Sequence, residues 1–219
     1  MDYEMSDMIT VVPSVSSSLV TEFCKFVSPG QTPQYVNVVP ESYCIENCCF
    51  QNVVQKVKKD CGGIVYGWQI WMMPELLIEA EFHAVWKSPL GELIDITPKT
   101  PATDKILFIS DELKKYDGSR TNNIRKNISK SKVVDMFIRI SDCLFMMEKK
   151  GSQGEFQIIL EGDERKFYAV LCDAKQKYLL MVKAGHTRED KCFCNSGKKH
   201  KNCCEKGILN IVRWVEHFY

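Results

Sequence analysis

The sequence predicts an α+β protein: a helix with cysteines at its start packed on an antiparallel sheet, then a helical half and a small thiol-rich tail. Three observations lead there. Phe50, Val53, Val54, Val57 and Cys61 recur at the i, i+3, i+4, i+7 spacing of one helix face. Three runs rich in β-branched and aromatic residues follow at 64–72, 76–87 and 92–97, too close together for parallel crossovers. Near the C-terminus, C-F-C-N-S-G-K-K-H-K-N-C-C sets Cys192, Cys194, Cys203 and Cys204 in a CxC-x8-CC pattern.

Each element has its own local reason. Residues 1–40 carry Ser16-Ser17-Ser18 and four prolines (Pro13, Pro29, Pro33 and Pro40), which reads as an irregular arm with a short helix near 18–26. The helix from Cys49 stops at Gly62-Gly63. Pro74 marks the first strand connection, and Ser88-Pro89-Leu90-Gly91 is a hairpin turn between the second and third runs. Beyond Pro98 and Pro101 the pattern turns helical. A short helix is expected at 111–116 and one or two more over 122–150, with Ile124, Ile128, Phe137, Ile140, Leu144 and Met147 facing a core. Residues 156–160 read as a strand and 165–182 as a helix. Ile208, Ile211, Val212, Val215 and Phe218 mark a terminal helix. The expected divisions are an arm at 1–40, a main domain at 41–185 and a thiol-rich tail at 186–219.

Composition sets the broad class. A chain of 219 residues with 45% apolar and 26% charged residues can bury one good core. A net charge of +1 gives no global case for nucleic acid or membrane binding. Arg125, Lys126, Lys130 and Lys132 read as a solvated helical face, not an RNA groove. Of eleven cysteines, those outside the tail (Cys24, Cys44, Cys48, Cys49, Cys61, Cys143 and Cys172) are odd in number and irregularly spaced, unlike a disulfide framework. The opening M-D-Y-E-M-S-D lacks the order of a signal peptide, and no apolar run approaches the ~18 residues of a membrane span. A cytoplasmic protein is expected.

Four thiolates complete the tetrahedral shell that structural zinc prefers, with no position left for chemistry. Asn195-Ser196-Gly197 suits a tight turn, and Lys198, Lys199 and Lys201 offset thiolate charge. His200 lies in the same loop, but four cysteines already satisfy a metal. The segment resembles the SEC-C motif, named from the C-terminus of the SecA translocation ATPase, and matches it at all four ligand positions. The resemblance implies one structural Zn2+ per chain and a tail that docks a protein partner.

In N-C-C-F-Q-N-V, Cys48 and Cys49 open a helix, where the dipole and free N–H groups favour a thiolate. Within E-A-E-F-H-A-V-W-K-S-P-L-G-E-L-I-D-I-T-P, counting from the turn sets His83 and Asp95 opposite one another to within about one residue. A carboxylate there orients an imidazole toward a cysteine packed on the sheet, the base–orienter arrangement of nucleophilic catalysis. A core histidine satisfied by Asp95 is the plainer alternative. Trp68, Trp71 and Trp86 are strand aromatics suited to core packing, or, for Trp68 and Trp86, to walling a cysteine cleft.

Helix-start Cys, strand His and next-strand Asp, in that order, is similar to the core of the transglutaminase-like and papain-like superfamily. The stretch from Asn47 to Pro98 more closely resembles uncharacterised bacterial proteins carrying N-x-C-[FH]-x-N-V, G-W-Q-I-W and E-A-E-F-H-A-V-W, often with a SEC-C tail. That resemblance implies a papain/transglutaminase-like core with Cys49 as nucleophile, His83 as base and Asp95 as orienter. Where papain-like proteases have a glutamine before the cysteine, this chain has Glu41-Ser42-Tyr43-Cys44. Helix-start N–H groups, Asn47 and Gln69 are the candidate oxyanion donors. The implied activity is cysteine-dependent acyl transfer on a protein or peptide (amide hydrolysis, deamidation or transamidation). A catalytically inactive zinc-dependent binding module is the alternative.

Overall fold

A computed structural model describes residues 10–151 and 158–219. The elements run α1 (Ser18–Val27), β1 (Gln34–Val38), α2 (Cys49–Asp60), β2 (Gly63–Met73), β3 (Leu77–Lys87), β4 (Leu93–Asp95), β5 (Lys105–Ser110), β6 (Ile124–Asn127), α3 (Lys132–Gly151), α4 (Gly162–Lys183) and α5 (Cys204–Phe218). The chain divides into two compact units: Met1–Pro74 with Ile78–Arg125, and Glu75–Leu77 with Lys126–Tyr219. The fold is mixed α+β, and the first unit is built on a small five-stranded barrel.

The barrel order is β2-β5-β1-β4-β3, closed by pairing of β2 with β3, and β6 adds to β3. Strand alternation explains its two faces. Val36, Val85, Ile106 and Phe108 form one cluster, joined by Val38, Val65 and Leu93. All five barrel strands contribute to it, so this is the interior. The residues between them on β2, β3 and β4 face outward. There Ala84, Trp86 and Ile96 meet Val53 of α2, with Phe50, Val57, Ile64, Tyr66 and Ile94 around them. For Phe50, Val53 and Val57 the periodicity of α2 is thus the imprint of the barrel's outer wall, while Val54, expected on that face, is exposed and Cys61 caps the helix in solvent. Its stop is built from Cys61 at φ 61° and Gly62 at φ 84°. A Cβ on Gly62 would stand 2.2 Å from the Lys87 carbonyl oxygen, so both conformation and space require glycine there. Lys56 fastens the helix to Glu41 and pairs within it with Asp60 at 2.9 Å, with its ammonium 4.7 Å over the Trp86 ring.

The hairpin forms where its turn residues place it. Gly91 N donates to Ser88 O (2.9 Å), and β3 pairs antiparallel with β4 in the register Trp86↔Ile94. Other expectations need correction. The segment 1–40 is not an irregular arm throughout: 18–27 is helical, and β1 lies between β5 and β4, antiparallel to the first and parallel to the second. A plain meander is therefore replaced by a closed barrel. Residues 105–110 are a strand, and 111–116 hold no helix. β5 hides Ile106, Leu107, Phe108 and Ile109 completely, with both faces covered, so it carries no alternation to betray it. Ile124 stands in strand β6, not a helix. Lys126, Lys130 and Lys132 are exposed, as a solvated face requires, while Arg125 Nε pairs with Glu79 Oε1 at 2.9 Å.

In the second unit, α3 buries Phe137, Ile140, Leu144 and Met147 as its periodicity predicts. Leu171, Ala174, Tyr178, Met181 and Val182 of α4 are buried, as are Ile208, Val212 and Val215 of α5. Phe218, expected on that same core face, is exposed. Arg139 closes a bidentate pair onto Glu216 at 2.8 and 2.7 Å. Of the strand expected at 156–160, residues 156 and 157 lie outside the described residues, and 158–160 form no strand. Among the described residues, no helix is long and apolar enough to cross a membrane.

Candidate functional site

Asp95 ends β4 and is fully buried. The register puts it opposite Val85, so His83 is its diagonal neighbour on the same face. Gln69, paired with Phe108, belongs to that face too. His83 Nε2 lies 3.0 Å from Asp95 Oδ2, and Asp95 Oδ1 accepts the Thr97 N–H at 3.0 Å. Burial alone would push the imidazole down, but Asp95 and then the Cys49 sulfur outweigh it and hold His83 up at about 9. Burial would likewise raise Asp95. His83 and Lys99 reverse that and hold the carboxyl at about 2. At neutral pH this is an imidazolium–carboxylate pair inside a barrel.

Cys49 is the first residue of α2 and is buried, one turn before Val53 and therefore on the sheet-facing side of the helix. Its sulfur is among the groups that favour a protonated His83. Cys48 is the N-cap and half-buried. Asn52 fixes where the helix starts. Its amide accepts from Ile45 N (3.1 Å) and donates to Ile45 O (2.8 Å) and Thr97 Oγ1 (3.2 Å). Thr97 in turn holds Asp95, so one chain of hydrogen bonds joins α2 to the histidine pair.

Lys99 was not anticipated. Its ammonium lies 2.8 Å from Asp95 Oδ2, 2.9 Å from Gln69 Oε1 and 3.3 Å from His83 Nε2, with a side chain only 10% exposed. No periodicity signals it, because it sits outside a strand and finds Asp95 only through the bend at Thr97. Asn52, by contrast, was visible as the second asparagine of N-x-C-F-x-N-V.

The remaining expected residues are placed less directly. Gln69 joins the polar cluster, but its carbonyl oxygen is taken by Lys99. Asn47 is exposed at φ 62°, before the helix cap. Trp68 and Trp86 carry the outward parity, opposite to His83. Trp86 Nε1 donates to Cys61 O (2.9 Å), and Trp68 Nε1 to Asp111 Oδ2 (3.0 Å). They brace the barrel's outer wall, and the group that covers the His83–Asp95 pair is Lys99. A groove of about 390 Å³ lined by Phe50, Val54, Tyr66 and Tyr116 begins one residue after Cys49.

In the second unit, Cys192, Cys194, Cys203 and Cys204 bring their sulfurs within 4.8 Å of one another, and all four are free thiols. A tetrahedral zinc with sulfurs at ~2.3 Å needs them about 3.8 Å apart, so the donor set and spacing fit a metal. The expected turn forms. Asn195 and Gly197 take positive φ, and Cys192 N donates to Lys198 O at 2.8 Å. The Ser196 hydroxyl and N–H hold the Cys194 thiol down at about 6. Lys199 and Lys201 pair with Glu189 (3.0 and 2.6 Å), so the thiolates are not their only counter-charge. His200 is fully buried behind the cluster, with Nδ1 3.4 Å from Cys192 Sγ and Nε2 2.8 Å from Tyr178 Oη. It stands behind the thiols and is not one of the four clustered groups. Comparison with protein-family models, curated proteins and solved structures finds no match to this chain.

Proposed function

We propose that the chain is a cysteine-dependent acyl-transfer enzyme acting on amide groups of proteins or peptides, with a structural zinc in its tail. The observation that carries this reading is the buried His83–Asp95 pair acted on by a helix-start cysteine. The order helix Cys, strand His, next-strand Asp is that of transglutaminase-like and papain-like cores. With Nε2 committed to Asp95, Nδ1 is the nitrogen available to the Cys49 proton. A thiolate at Cys49 attacks a carbonyl carbon. The tetrahedral intermediate expels the amine, which takes its proton from the imidazolium, and a thioester remains. Water or a second amine then attacks the thioester, giving back the proton and the free thiol. Helix-start N–H groups are the oxyanion donors, with the Gln69 side-chain NH2, whose Oε1 partner accepts from Lys99, as a further one. In the tail, Cys192, Cys194, Cys203 and Cys204 would hold Zn2+ and present the adjoining surface to a protein partner in the cytoplasm.

A second reading has its own support. Lys99 seals the pair from the side of Nε2, and no hydrogen bond joins the Cys49 sulfur to the imidazole. A purely structural ion cluster within a zinc-dependent binding module would look the same. Thiol labelling with mass mapping at pH 6–7 separates the two. The enzyme reading expects Cys49 to alkylate well ahead of Cys24, Cys44, Cys61, Cys143 and Cys172. Preferential labelling of Cys48 moves the nucleophile by one position, and no preference between them and the rest favours the module.

A further inference from the structure

We propose that Lys99 is a positioning residue of this site, its ammonium fixing His83 with N–H on Nε2 and Nδ1 facing Cys49, and keeping the imidazole able to give up its proton. This rests on the acyl-transfer reading.

The geometry allows few alternatives. Asp95 Oδ2 has two neighbours, His83 Nε2 at 3.0 Å and Lys99 Nζ at 2.8 Å, which stand 3.3 Å from each other. An unprotonated Nε2 would set a lone pair against the carboxylate. Nε2 therefore donates to Asp95 Oδ2, and two of the three Lys99 protons are directed to Asp95 Oδ2 and Gln69 Oε1.

The second consequence is electrostatic. His83 is faced by Asp95 from β4, the Cys49 sulfur from α2 and Lys99 from the segment after β4, with the neutral Gln69 from β2. Burial opposes a protonated ring, Asp95 and the Cys49 sulfur favour it, and Lys99 opposes it. Without Lys99 the paired carboxylate would hold the imidazolium still more tightly. Lys99 shares that carboxylate at 2.8 Å and so eases release of the ring's proton to a leaving amine.

The test is NMR titration of ring-labelled His83, in the wild-type chain and in Lys99→Met and Lys99→Arg, alongside the pH profile of Cys49 alkylation. Above its midpoint the wild-type ring should show the Nε2–H tautomer. Lys99→Met should move the His83 midpoint upward, and Lys99→Arg should leave it near wild type. An Nδ1–H tautomer in the wild-type chain overturns the proposal even where Lys99→Met does not fold. A Lys99→Met midpoint equal to wild type overturns it as well. An unreactive Cys49 beside a His83 that titrates as stated would sink the acyl-transfer reading and leave the placement of Lys99 intact.

Discussion

Replacing Asp95 by Asn removes the charge that holds His83 protonated while keeping size and shape. The magnitude follows from the imidazole. A ring raised from its ordinary 6.5 to about 9 contributes about 3 kcal/mol to folding at neutral pH. The sign is fixed by the direction of the shift. That stability is fully present below pH 6.5 and is lost as pH rises through about 9. Asp95 itself, held at about 2, is ionised throughout this window and adds no slope. In Asp95→Asn the ring loses its principal attraction, and burial drives it neutral, so the slope between pH 6.5 and 9 should vanish. The variant should also be less stable at pH 6.5 by about 3 kcal/mol or more, because Lys99 stays buried without its carboxylate. The assay is urea unfolding at pH 6.5, 7.5 and 9 followed by tryptophan fluorescence, in a Trp214→Phe background. Emission then comes only from Trp68, Trp71 and Trp86 of the barrel unit, and the tail thiols, which lie in the other unit, go unread. Equal pH slopes in the parent and in Asp95→Asn would refute the claim that this pair stores folding energy in the charge of His83.

Three further outcomes are expected. Protein purified without chelator should hold one zinc per chain by elemental analysis, and Cys203→Ser should release it and loosen α5 while barrel tryptophan emission is unchanged. Gly67→Ala should cost at least about 2 kcal/mol in the barrel unit by urea denaturation, since its Cβ would meet Ile109 O at 2.2 Å and Phe108 Cζ at 2.5 Å. Ile140→Ala, at a fully buried position of α3, should cost about 2–5 kcal/mol by circular dichroism at 222 nm, which follows the helical unit.

The sequence by itself determined the elements whose two faces differ. α2, α3 and the β3–β4 hairpin were legible because one side meets a core and the other meets water or a helix, and that asymmetry is written as a period. The thiol cluster was legible for another reason: its four groups lie within thirteen residues, and a short turn can bring them together without help from the rest of the chain. What tertiary structure alone decided is everything that depends on distant strands. β5 is hidden on both faces and so has no period. β1 lies in a proline-rich stretch and becomes a strand only because β4 and β5 flank it. Closure of the barrel, not the hairpin, brings Gln69 on β2 to His83 and Asp95. Lys99 is set among them by a bend that no spacing rule foresees. His200 is recruited behind Cys192 by Tyr178, twenty-two residues earlier on a different helix. Local chemistry writes periods and short-range clusters into a sequence. A polar network gathered from β2, β3, β4 and a loop exists only once the barrel has closed around it.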